Sequence, residues 1–151
     1  MTDHAVAHAT FSLERTYRAS TAQVFSAWAD PAAKARWFAG PDSAHELDFR
    51  VGGREVNQGR HDGALLTFES FYRDIVPGAR IIYTSTLSAD ETLSTVSLTT
   101  VELSPAGDST RLVLTEQGAY LDGLEQPSGR EQGTSDWLDA LGAELNNQPR
   151  A

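Results

Sequence analysis

No cysteine occurs in the 151 residues. Disulfides, thiolate metal sites and cysteine nucleophiles are therefore excluded together, and the absence fits a reducing cytoplasm. Basic residues are scarce: 12 Lys and Arg stand against 21 Asp and Glu, a net charge of −9. That balance argues against a nucleic-acid partner, which needs clustered Lys and Arg, and against an anionic membrane surface. No apolar run approaches the roughly 20 residues of a membrane span, so no membrane insertion is expected. The opening MTDHAVAHAT has neither the basic nor the apolar block of a secretory signal. Catalytic signatures are also missing. There is no G-x-S-x-G, no H-E-x-x-H, no P-loop and no dinucleotide fingerprint. Accordingly no cofactor and no metal is expected.

What remains is ordinary in composition, with 40% hydrophobic and 22% charged residues. A chain of this length forms one domain with a real core. Its longest helical pattern covers 130–147, REQGTSDWLDALGAELNN. Trp137, Leu141 and Leu145 recur at i, i+4 and i+8, with Leu138 at the edge of the stripe. Asp136, Asp139 and Glu144 fall mostly off it. Ser128 and Glu131 read as a capping box, and Pro149 marks the end. Gly133 and Gly142 each weaken the helix by roughly 1 kcal/mol relative to Ala, so it needs a packing partner.

Most of what precedes it alternates. Residues 1–9 read as a flexible terminus, although His4 and His8 have the i, i+4 spacing of a helical metal pair. Residues 10–18 put Phe11, Leu13 and Arg15 on one side of a strand. Ser20 and Gln23 form a capping box that opens a short helix carrying Val24, Phe25 and Trp28. Asp30-Pro31 opens a second, carrying Trp37 and Phe38 and ending at Gly40-Pro41. Strands follow at 45–51, 54–60, 64–76, 80–88, 91–103 and 109–118. They are separated by Gly52-Gly53, Asp62-Gly63, Pro77-Gly78, Ala89-Asp90 and Pro105–Asp108, which is the punctuation of an antiparallel meander. Residues 119–129 form a loop, and 148–151 a flexible C-terminus.

The fold class that follows is α+β: a curved antiparallel sheet of six to seven strands wrapped around a long C-terminal helix. Two short helices come after the first strand, and the single domain spans 10–147. A helix is about 10–12 Å across, far narrower than six or seven strands at about 4.8 Å spacing. Space is left between sheet and helix, roofed by the short helices. Large side chains could also fill it.

The stretches STAQVFSAWADPAAKARWFAG, VGGREV, VPGARIIYT and SDWLDALGAEL carry a family resemblance. They resemble the bacterial relatives of the heat-shock protein 90 ATPase activator domain, in the SRPBCC (START/Bet v 1-like) superfamily. The resemblance runs from about Thr10 to Leu145 and implies the helix-grip fold with its cavity. It leaves the occupant open, because that superfamily includes lipid carriers, polyketide cyclases and co-chaperone domains.

Within such a cavity the expected lining is Trp37, Phe38, Phe49, Phe68, Tyr83, Glu116 and Trp137. Alternation places Leu112, Leu114 and Glu116 on one face of the last strand. Glu116 then either points inward, where desolvation makes it a candidate acid, base or ligand hydrogen bonder, or sits at the strand's wet end. Glu69 and Arg73 share a parity and either pair or lie on a solvated face. His45 and His61 read as solvent-exposed. The leading expectation is binding of a small hydrophobic molecule, aromatic or lipid-like. A cyclase- or hydrolase-type enzyme using Glu116 is one alternative. A co-chaperone-like module with a protein partner is the other.

Overall fold

Seven segments of the chain alternate apolar and polar side chains, and all seven pair into one antiparallel sheet. The computed structural model describes residues 4–147. In chain order the elements are β1 (Val6–Tyr17), α1 (Thr21–Ala29), α2 (Pro31–Phe38), β2 (Ala44–Leu47), β3 (Arg54–His61) and β4 (Ala64–Val76). They continue with β5 (Arg80–Ala89), β6 (Thr92–Ala106), β7 (Ser109–Leu121) and α3 (Pro127–Asn146). The strand order is β1-β7-β6-β5-β4-β3-β2. One face carries Phe11, Tyr17, Phe68, Tyr72, Ile81, Tyr83, Val101, Leu103, Leu112 and Leu114 against α1, α2 and α3. Burying that face supplies the main driving force for the fold.

The local signals explain most boundaries. Ser20 accepts from the Gln23 amide while the Gln23 side chain accepts from Ser20 N–H, closing the capping box of α1. Asp30 caps α2 through the Ala33 amide, with Pro31 in its first turn. Asp62 and Gly63 both have positive φ, 50° and 83°, as a two-residue hairpin turn of this hand requires.

Several boundaries differ from the sequence reading. β1 begins at Val6, because β7 runs on to Leu121 and pairs with it. Residues 6–9 are therefore strand, and His8 is not on a helix with His4. The remaining flexible ends expected at 1–3 and 148–151, with Pro149, lie outside the described residues. β2 stops at Leu47, so 48–51 is not strand. There the chain folds back on itself: Arg50 N–H donates to Asp48 O and Gly53 N–H to Arg50 O. A Cβ at Gly53 would lie 2.0 Å from Asp48 O, so only glycine fits.

Corrections to α3 bear on function. It starts at Pro127 after Gln126, which makes no side-chain cap bond. Ser128 is thus inside the helix, not its cap, because Pro127 presets the first turn. Its buried residues are Arg130, Thr134, Leu138, Leu141, Glu144 and Leu145. The stripe centres on Leu138, and Trp137 sits half-buried beside it. Glu144 is buried because Arg36 grips it with three hydrogen bonds of 2.8–3.1 Å. On β1, Tyr17 donates to Leu138 O at 2.7 Å, and its ring lies close to Gly142. A glycine that weakens the helix on paper thus lets the sheet approach it. Among the described residues no helix is long and apolar enough to cross a membrane.

Candidate functional site

Beneath α3 the aromatic side chains close on one another. Phe38 and Trp137 have centroids 4.5 Å apart, and Phe68 lies 6.0 Å from each. Trp28 and Trp37 meet edge to face at 4.8 Å. The space they enclose with Tyr83, Leu114, Glu116 and Leu138 holds about 10 Å³. That is room for about one water molecule. The gap between the wide sheet and the narrow helix is filled here by aromatic rings.

An open cavity lies at one end of the same seam. It measures about 370 Å³, within the range of small-molecule sites. Its sheet wall is Asn57 and Gly59 of β3, Leu66 and Phe68 of β4, and Leu87 of β5. The helix wall is Arg130, Gly133, Thr134 and Trp137, with Glu125 from the preceding link. Two absent side chains keep it open: Gly133 faces it without a Cβ, and a Cβ at Gly59 would lie 2.9 Å from Ser43 Oγ.

The seven side chains expected to line a cavity divide accordingly. Phe68 and Trp137 border both spaces. Trp37, Phe38, Tyr83 and Glu116 border only the enclosed remnant. Phe49 borders neither; it packs on Phe25 and Tyr72 at 5.6 and 4.9 Å.

Glu116 does point inward, and it is occupied. Its Oε2 accepts from Arg130 Nε at 3.0 Å and its Oε1 from Thr99 Oγ1 at 2.8 Å. Arg130 also donates from Nη1 to Glu125 Oε1 and from Nη2 to Ser97 Oγ, both at 3.0 Å. Its plane lies over Phe68 at 5.1 Å. Burial opposes the guanidinium charge, but Glu116 and Glu125 more than offset it and hold the Arg130 pKa above its usual value. Tyr83 is raised above the phenol range, first by burial and then by Glu116 and Glu55.

A second buried network pins α2 to the sheet. Lys34 Nζ donates to Glu55 Oε1 at 3.0 Å, and Tyr72 donates to the same oxygen at 2.7 Å. His45 Nε2 meets Glu55 Oε2 at 2.7 Å. The Lys34 ammonium lies 4.4–5.4 Å from the ring centres of Phe38, Trp28 and Trp37, a cation–π arrangement. Burial alone would raise the Glu55 carboxyl. The Lys34 charge and the hydrogen bonds from His45, Tyr72 and Lys34 instead bring it down to about 2. Lys34 itself is lowered by burial, with Glu55 opposing.

Sequence reasoning missed both networks. His45 is not exposed as expected: only 6% of its side chain is accessible, because Glu55 holds it inward. His61 is exposed at the hairpin turn beside Asp62. Glu69 pairs with Arg54 and not with Arg73, which donates to Thr84. Parity held a signal, since Glu55, Asn57, Phe68 and Tyr72 share the inward face. A charged residue at an inward position was the clue.

The open seven-stranded sheet packed against α3, with a cavity at one end of the seam, defines a helix-grip protein of the SRPBCC type. The chain belongs to the family described as activator of Hsp90 ATPase homolog 1-like protein, whose model matches residues 18–146. Among solved structures it is similar to the Mll3558 protein from Rhizobium loti. Identity there is 45%, over 93% of this chain and 99% of that one, with a TM-score of 0.88. A protein from Rhizobium leguminosarum shares 41% identity over 97% of this chain and 100% of its own, at TM-score 0.93. Protein CV1439 from Chromobacterium violaceum shares 26% over 92% and 98%, at TM-score 0.76. A search of curated proteins finds no match.

Proposed function

We propose that this protein binds a small, largely apolar molecule in the cavity between β3, β4, β5 and the first half of α3. The observation that carries the reading is the 370 Å³ space walled by Leu66, Phe68, Leu87 and Trp137. Apolar walls with a few polar groups are the ordinary make-up of a ligand site. The binding place therefore moves from the short helices, where the sequence reading put it, to the open end of the seam. Glu116 favours holding over catalysis, because both its oxygens already have partners. The net charge of −9 favours a small molecule over nucleic acid. The absence of Cys fits a cytoplasmic setting.

Of the three tryptophans, Trp137 alone is not fully buried. A bound aromatic compound would perturb its emission and raise the melting temperature by mass action. The test is a thermal-shift screen of flavonoids, polyketides and fatty acids, followed by indole fluorescence on any hit. A hit that Trp137→Ala abolishes supports the reading. If nothing shifts the melting point, the reading falls.

A second reading has one observation behind it, the family's description as an activator of Hsp90 ATPase homologue. It predicts a protein partner that engages an outer surface. Stimulation of a bacterial heat-shock protein 90 ATPase by the full chain would support it.

A further inference from the structure

Resting on the cavity as a ligand site, we infer that it takes an organic carboxylate with an apolar body. The carboxylate sits outward at the β3–β4 turn, and the body inward against Phe68, Leu87 and Trp137. The cavity has a direction. Phe68 and Trp137 also border the enclosed remnant, so they mark its inner end. Arg60 and His61 end β3 beside the Asp62-Gly63 turn, and both are exposed, so they mark its mouth. Leu66 shares a strand face with Phe68, and Leu87 pairs opposite Phe68, which carries the apolar wall inward. An apolar interior with a few polar groups to fix orientation is how such sites hold a ligand. Here the groups at the entrance are basic.

Charge at the cavity runs against the charge of the chain. The protein carries 21 acidic residues to 12 basic, yet the cavity is bordered by Arg60, Arg130 and His61 against Glu125 alone among the described residues. Glu116 lies behind Arg130 and borders only the enclosed remnant. Glu125 is already matched: its Oε1 accepts from Arg130 Nη1 at 3.0 Å and from Thr95 Oγ1 at 2.6 Å. Arg130 gives single N–H groups to Glu116, Glu125 and Ser97, and a guanidinium carries more than these. Arg60 is held by nothing. Among the described Lys and Arg residues only Arg18 and Arg60 donate no side-chain hydrogen bond, and Arg18 lies elsewhere, at the start of α1. A free guanidinium binds a carboxylate with paired, charge-assisted hydrogen bonds. His61 adds a ring N–H, which imidazole keeps even when neutral. Its exposed contact with Asp62, at 3.3 Å, is a weak competitor. A cationic head group would meet Arg60 as a like charge, and a neutral one would leave it to water.

The test is calorimetric titration of the full chain with four naphthalenes that differ in head group: naphthoate, neutral naphthamide, naphthol and protonated naphthylmethylamine. All share the apolar body, so the cavity should admit each. Naphthoate should bind about fivefold or more tighter than naphthamide and naphthol, the gain of a charge-assisted hydrogen bond, and the amine should bind most weakly. Raised salt should weaken naphthoate and leave naphthamide unmoved, since salt screens exposed charges. Arg60→Gln should bring naphthoate down to the affinity of naphthamide. Arg60 is exposed, so this variant should melt as the wild type does. Arg18→Gln, which removes the other unheld guanidinium, should leave naphthoate binding intact. Naphthamide, naphthol or the amine binding as tightly as naphthoate overturns the inference while leaving the cavity a ligand site. So does a naphthoate affinity that Arg60→Gln leaves unchanged or that Arg18→Gln lowers in its place. If none of the four binds, the ligand-binding reading itself fails and this inference falls with it.

Discussion

Lys34 Nζ lies 3.0 Å from Glu55 Oε1, and neither side chain exposes more than 2% of its surface. This pair, three residues before Trp37 on α2 and at the start of β3, fixes the short helices to the sheet. Removing one member of a buried pair strands the other charge, typically at about 3–5 kcal/mol. Lys34→Met should therefore destabilise the fold by about that amount. The double variant Lys34→Met/Glu55→Gln should lose less than the sum of the two single changes, since the partners couple. Urea unfolding of all four proteins checks this. Additive losses would show that the contact contributes little.

The same carboxylate sets an acid limit. The Glu55 pKa falls from an ordinary 4.5 to about 2. Below the ordinary value the unfolded chain binds the proton first, so stability drops as pH falls towards 2 and is fully present above about 5. The displacement corresponds to roughly 3 kcal/mol as an upper figure. Melting temperature followed between these limits should decline in the wild type and decline less steeply in Glu55→Gln. Parallel curves would remove Glu55 from the account.

The terminal helix is anchored by Leu138 and Leu141, which are 1% and 0% exposed. Truncating a buried leucine leaves a void and costs about 2–5 kcal/mol. Leu138→Ala and Leu141→Ala should each fall in that range by chemical denaturation. An unchanged midpoint for either would contradict the placement of α3.

Trp37 and Trp137 should separate stability from binding. Trp37 is buried, donates from Nε1 to Ala27 O at 2.9 Å, and meets Trp28 edge to face. Its replacement by Ala should cost about 3–5 kcal/mol, the usual range for a buried aromatic. The sequence reading placed Trp37 in the cavity lining, whereas it borders only the enclosed remnant. Trp137→Ala should cost less stability and remove the cavity wall. Equal melting temperatures for the two variants would count against this division.

Much of the architecture was legible because its causes are local. Gln23 three residues after Ser20, Pro31 after Asp30, and Asp62-Gly63 between alternating runs each dictate a boundary on their own. The site was less legible, because its causes are not local. Glu55 is a buried anion only because Lys34 reaches it from a helix 21 residues earlier. Arg130 lies on the buried face of α3 because Glu116 and Glu125 receive it, so a stripe read by hydropathy missed its polar end. Whether a gap between sheet and helix is open or filled depends on how rings interlock. The sequence put Phe38, Phe68 and Trp137 near each other without revealing that they touch.

The central claim is that a ligand sits at the open end of the seam and not among the inner tryptophans. An NMR titration of backbone amides and indole N–H groups with naphthol tests it most directly. The account predicts shifts at Asn57, Gly59, Leu66, Leu87, Gly133 and the Trp137 indole, with the Trp28 and Trp37 indoles unmoved. Shifts centred on Trp28 and Trp37, with the signals of Asn57, Leu66 and Gly133 unchanged, would contradict it.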